Sequence, residues 1–174
     1  MRRVVLYHGG CADGWCSAWL FKSSFPDAEL VPAVYGTPPP DGLDGAEVYV
    51  VDFSYKRPDM ERLAGEAARL VVLDHHATAE AELAGLDAHL RPNSRSVVRF
   101  DMAKSGAVLA WEYLYETGKL PGFLRLPFSQ VEPPLLVRLV QDRDLWKWEI
   151  PNSRELNAAV NSYPRTVEEG GKLH

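Results

Sequence analysis

Apolar residues along the chain fall into short β-branched runs that alternate with helix-length segments carrying an apolar face, which predicts strands laid side by side with helices between them. Val4 to Tyr7 reads as a buried first strand broken by Gly9-Gly10, and Gly14 to Ser23 has the length and apolar face of a helix. Leu30 to Tyr35 is a second strand, interrupted by Pro32 and therefore placed near a sheet edge. After the turn-rich stretch Gly36 to Gly42 come a third strand, Glu47 to Phe53, and a helix opened by Pro58 and running to about Arg69. Leu70 to Asp74 and Val97 to Phe100 are strands four and five. Lys104 to Glu116 is a helix ended by Gly118, and Leu120 to Phe128 is loop. Pro133-Pro134 starts a helix through Val140, and a last helix from about Ser153 to Ser162 stops at Pro164. The pattern predicts a three-layer α/β fold, a mostly parallel five-stranded sheet with helices on both faces. It forms one domain over residues 1–167, followed by a tail, 168–174, expected to fray.

Composition narrows the class. With 174 residues, 46% apolar and 25% charged, the chain has the makeup of one globular domain rather than a disordered or membrane-embedded one. A formal charge of -5 argues against a broad basic face, so long duplex nucleic acid is not an expected partner. The apolar stretch after Met1-Arg2-Arg3 is too short for a leader or a membrane span, and no membrane partner is expected. Cys11 and Cys16 make no disulfide framework and fit no zinc-site spacing, which points to a cytoplasmic setting.

In an open parallel sheet the ligand site lies outside the carboxyl ends of the strands. Here strand one ends in His8 and leads to Asp13-Gly14, strand three ends in Asp52, and strand four ends in Asp74-His75-His76. A single Asp at such a corner would be read as a helix cap; three corners offering carboxylate or imidazole together suit a divalent ion such as Mn²⁺ or Mg²⁺. Neighbouring strand residues alternate in direction, so one of His75 and His76 is expected to ligate and the other to meet substrate phosphate. Asp142 and Asp144 lie two apart after an apolar segment; if helix continues only one can enter a site, and Asp142 is favoured as ligand with Asp144 in support. Ser105 at a helix start and Arg99 beside the fifth strand are candidate phosphate contacts, although capping accounts for Ser105. Trp146 and Trp148 are read as packing rather than base stacking.

The segments Tyr7-His8-Gly9-Gly10-Cys11-Ala12-Asp13-Gly14, Val51-Asp52, Asp74-His75-His76, Lys104-Ser105-Gly106-Ala107 and Gln141-Asp142-Arg143-Asp144, in that order, resemble the motifs of the DHH phosphoesterase superfamily over most of the chain. The resemblance implies a Rossmann-like metal domain and a phosphohydrolase using two divalent ions, Mn²⁺ first and Mg²⁺ as the alternative. It makes His8, Asp13, Asp52, His75 and Asp142 metal ligands, with Asp52 bridging and His76 on phosphate. Asp52, His75 and His76 are thus the catalytic candidates, and Asp74 and Asp144 support them. Gly10, Cys11 and Trp15 stand where many relatives carry further carboxylates, and the 174 residues are expected to match the N-terminal metal domain of relatives and not their C-terminal substrate-binding domain, either as a fragment or as a stand-alone domain.

The expected activity is hydrolysis of phosphoesters of nucleotides or short oligonucleotides by a metal-activated water. The alternatives are a nucleotide- or phosphate-binding module without turnover, and a pyro- or polyphosphate hydrolase. A small phosphorylated substrate is the expected partner, and self-association is left open.

Overall fold

The computed structural model describes residues 1–92, 94–122 and 132–162. Its sheet contains β1 (Arg3–His8), β2 (Glu29–Ala33), β3 (Glu47–Val51), β4 (Arg69–Asp74) and β5 (Val97–Phe100) in the order β2-β1-β3-β4-β5, every pair parallel. The helices are α1 (Ala12–Ser24), α2 (Arg57–Glu66), α3 (Ala77–Glu82), α4 (Gly106–Glu116), α5 (Leu135–Asp144) and α6 (Ser153–Ser162), with a 3-10 turn at Leu86–His89. This is the expected three-layer α/β architecture, and β2 takes the edge where Pro32 costs no ladder bond to a further strand.

Both faces of the sheet are buried, which is why its central strands are apolar at consecutive positions instead of alternating with polar residues. Val5, Tyr49, Val51, Val71 and Leu73 point into a core shared with α1, α4 and α5. Their neighbours Val4, Leu6, Val48, Val50, Leu70 and Val72 point the other way, against Met60 and Leu63 of α2 and Leu86 of the 3-10 turn. From β1 the chain crosses to β2 on one side and later returns to β3 on the other. The resulting topological switch point opens a crevice at the carboxyl ends of β1 and β3.

Several boundaries differ from the pattern-based expectation, each for a local reason. Strand β3 stops at Val51 because Asp52 turns into the left-handed region, φ 52°. Helix α1 begins two residues early because the Cys11 sulfur accepts the Gly14 N–H at 3.2 Å and caps the first turn. Helix α2 ends at Glu66, and Arg69 already belongs to β4. Helix α5 continues past Val140 to Asp144. Helix α3 was not expected: it buries none of its side chains, so it has no apolar stripe to read. Positions 123–128 of the expected loop and the 168–174 tail lie outside the described residues.

Candidate metal centre

The crevice gathers ionisable groups from five elements. His8 closes β1, and Asp13 lies in the first turn of α1, where it is 1% exposed. Asp52 follows β3, His75 and His76 follow β4, and Asp144 ends α5. The Asp52 carboxylate is divided between two sides. Its Oδ1 lies 3.0 Å from His75 Nε2, while its Oδ2 accepts the Cys11 thiol at 2.9 Å and stands 3.8 Å from His8 Nδ1. His75 Nε2 also faces Asp13 Oδ2 at 3.6 Å and Asp144 Oδ2 at 3.5 Å.

Close approach of backbones makes this convergence possible. The N-terminus of α4 is aimed at Asp13: the Gly106 N–H donates to Oδ2 at 2.6 Å and the Ala107 N–H to Oδ1 at 2.8 Å. The positive end of that helix therefore already holds an anion, the Asp13 side chain itself. A Cβ at position 106 would lie 2.5 Å from the Asp52 Cβ, and one at position 14 would lie 2.2 Å from the His8 carbonyl oxygen. Glycine at both places lets α1 and α4 reach the strand ends.

Asp74, fully buried, fixes the histidine pair. It accepts from Ser54 Oγ at 2.6 Å and from the His75 N–H at 2.7 Å, and it holds His76 Nδ1 at 2.6 Å. Burial opposes its charge, but the bonds from His76 and Ser54 outweigh that and keep its carboxyl below the ordinary range. With Nδ1 engaged by Asp74, the other ring nitrogen of His76 is left for the crevice.

The charges of the cluster are unbalanced. Burial, reinforced by the charges of Asp52 and Asp144, pushes the Asp13 carboxyl well above its ordinary range, and burial likewise raises Asp144. Burial pulls His75 down, but the Asp52 hydrogen bond and the charges of Asp13, Asp52 and Asp144 prevail and push it up to about 9. Burial and the Asp52 charge push the Cys11 thiol up. Three carboxylates around one imidazole in a partly dry crevice call for positive charge, of which a protonated His75 supplies one unit and a divalent ion would supply two. The donor atoms suit such an ion. Asp13, His75 and Asp144 form one group with ligand atoms within 4.8 Å of one another; His8, Cys11 and Asp52 form a second, and Asp52, His75 and His76 a third.

Of the residues expected in the site, His8, Asp13, Asp52, His75 and His76 are brought together, with Asp74 behind them. Three expectations are corrected. Asp142 is not in the cluster: α5 stays helical, so positions 142 and 144 diverge, and Asp142 accepts the Glu149 N–H at 2.8 Å in the turn toward α6. Asp144, assigned only a supporting part, is the one that faces His75. Arg99 is spent on Glu116, at 2.7 and 3.3 Å. The fully buried Ser105 hydroxyl caps α4 by accepting the Val108 N–H and does not face the crevice. The sequence reading missed the Cys11 contact, the α4 amides on Asp13, and Gln141, whose Oε1 accepts the Ser105 N–H at 3.1 Å and steadies that helix start. Asp144 was findable, since it follows the core residues Val137 and Val140 by seven and four positions and so extends their stripe.

Fold and site together define an open parallel α/β domain with a cluster of metal-ligand type at its switch point. No protein-family model matches the chain. It is 29% identical over 168 residues to an uncharacterized protein of Acanthamoeba polyphaga mimivirus, covering 87% of this chain and 35% of that protein. An uncharacterized protein from Helicobacter pylori has a similar crystal structure, with a TM-score of 0.61 at 16% identity over 86% of this chain and 45% of that one. The chain thus spans about a third of the viral relative's length and under half of the bacterial one's. No helix among the described residues is long and apolar enough to cross a membrane.

Proposed function

We propose that the chain is a divalent-metal phosphohydrolase of the DHH phosphoesterase type, acting on phosphoesters of nucleotides or short oligonucleotides. The observation that carries this reading is the divided Asp52 carboxylate, with one oxygen toward His75 and the other toward His8 and Cys11, the disposition a bridging ligand requires. Divalent ions held there would supply charge to neutralise phosphoryl oxygens and to make water acidic near neutral pH.

The chain's own groups do the rest. Asp13, fastened to the amides of α4, stands beside His75 as an oxygen ligand that cannot swing away without breaking buried hydrogen bonds, and Asp144 faces His75 from the end of α5. His76, oriented by Asp74, presents its other ring nitrogen, which when protonated donates to a phosphate oxygen. The Asp74 hydrogen bond raises its pKa and favours the donor form. Room for the organic part of a substrate exists on both sides. One cleft of about 390 Å³ runs from Cys11 and Asp13 past Arg143 to Trp146 and Trp148, and another of about 380 Å³ is lined by Tyr35, Phe53, Lys56 and Thr78. Trp146 is 78% exposed, which supports a base-stacking part for it over packing.

The test is an assay with Mn²⁺ on short oligonucleotides, a bisphosphate nucleotide, cyclic dinucleotides and pyrophosphate. Turnover of a nucleotide substrate is expected, abolished by chelation and lowered by Asp52→Ala by about a hundredfold or more. Metal binding without turnover of any of these would leave a nucleotide-binding module instead, and turnover of pyrophosphate alone would restrict the reading to that substrate.

A further inference from the structure

We propose that Cys11 is a metal ligand, so that His8, Cys11 and Asp52 form a thiolate-containing half of the centre that takes a zinc-class divalent ion rather than magnesium. The inference rests on reading the cluster as a metal centre. It adds that the two halves differ in kind.

The sulfur is placed for this part. Sγ lies 2.9 Å from Asp52 Oδ2, on the opposite side of that carboxylate from His75, and the ligand atoms of His8, Cys11 and Asp52 are within 4.8 Å of one another. Metal–sulfur bonds of about 2.3 Å and metal–nitrogen or metal–oxygen bonds of about 2.0–2.2 Å allow one ion to reach all three after small adjustments. The thiol proton now lies between Sγ and Oδ2; a coordinated ion would take that place and send the proton to solvent. The Gly14 N–H, at the first turn of α1, points at Sγ from 3.2 Å, and an amide at a helix N-terminus steadies negative charge on sulfur. Cys16, by contrast, lies fully buried in the hydrophobic core and belongs to none of the three ligand groups found among the described residues.

The donors of the other half, Asp13, His75 and Asp144, are oxygen and imidazole nitrogen, which suit manganese or magnesium. A thiolate selects zinc, cobalt(II) or iron(II) over these harder ions. The sequence spacing of the two cysteines gives no zinc signature because the ligands come from the end of β1, the turn into α1 and the end of β3, with a single sulfur among them.

Cobalt(II) titration of the metal-free full chain tests the proposal, with calorimetry in parallel using manganese and zinc. A sulfur-to-cobalt charge-transfer band is expected, retained in Cys16→Ser and lost in Cys11→Ser, together with zinc affinity lowered at least about tenfold in the latter. Zinc should also shield Cys11 from alkylation in the wild-type protein, a readout that needs no variant to fold. Manganese and cobalt binding without the band, with Cys11 alkylated equally fast whether or not zinc is present, would overturn the thiolate site and leave the metal centre standing. No spectral change with cobalt and no heat from manganese or zinc would overturn both.

Discussion

A carboxylate that serves two neighbours must be held where neither can be lost, and Asp52 is held in the left-handed region. Its φ of 52° is a conformation that L residues other than asparagine and aspartate seldom adopt, and it persists because the Asp52 N–H is tied to the Leu73 carbonyl at 3.0 Å. The two aspartates of α5 give a sharper residue-level prediction, since sequence alone ranked them the other way. Asp144→Asn should weaken manganese binding by about ten- to a hundredfold with little change in Tm. Asp142→Asn should lower Tm and leave manganese affinity within about twofold; calorimetry and thermal melts on both variants check this. His75 sets the pH dependence. Its raised pKa means that its contribution to the stability of the metal-free protein is complete below its ordinary value of 6.5 and is lost as pH rises through about 9. The metal-free Tm should therefore fall across that window. In His75→Ala the slope should flatten, and equal slopes in the two proteins would contradict the assignment.

At the scale of elements, two glycines let helices meet strand ends, and their substitution should be felt more than that of a glycine in open space. Gly14→Ala drives a methyl into the His8 carbonyl and should cost about 1–3 kcal/mol or more in denaturant unfolding. Gly65→Ala, in α2 with nothing within 4 Å of the added Cβ, should instead stabilise by up to about 1 kcal/mol. The elements were legible where burial writes a pattern. The strands β1, β3 and β4 show as apolar runs because both sheet faces are covered, and α4 because Leu109, Trp111 and Leu114 are buried. The exposed helix α3 writes no pattern, and the last turn of α5 is polar, so its continuation shows only in Asp144 keeping the helical spacing of Val137 and Val140. Arg99 was misplaced because its ion-pair partner on α4 is settled by tertiary geometry, whereas Ser105 caps α4 as its residue type at a helix start suggests.

At the scale of the whole molecule, strand order gathers what the sequence scatters. With β1 between β2 and β3, residues near positions 8, 52 and 75 emerge at one rim, and the packing of α4 and α5 on that side brings in the amides at 106 and 107 and the carboxylate at 144. A centre assembled from so many separate parts should couple ligand binding to global stability. Manganese at a hundred times its Kd should add about 2.7 kcal/mol to unfolding, and Asp52→Ala should abolish that gain. The most direct test of the account is anomalous diffraction at the manganese edge from crystals grown with Mn²⁺. The account predicts a peak bonded to Asp13, Asp52, His75 and Asp144; a crystal with manganese elsewhere, and none among these four side chains, would contradict it.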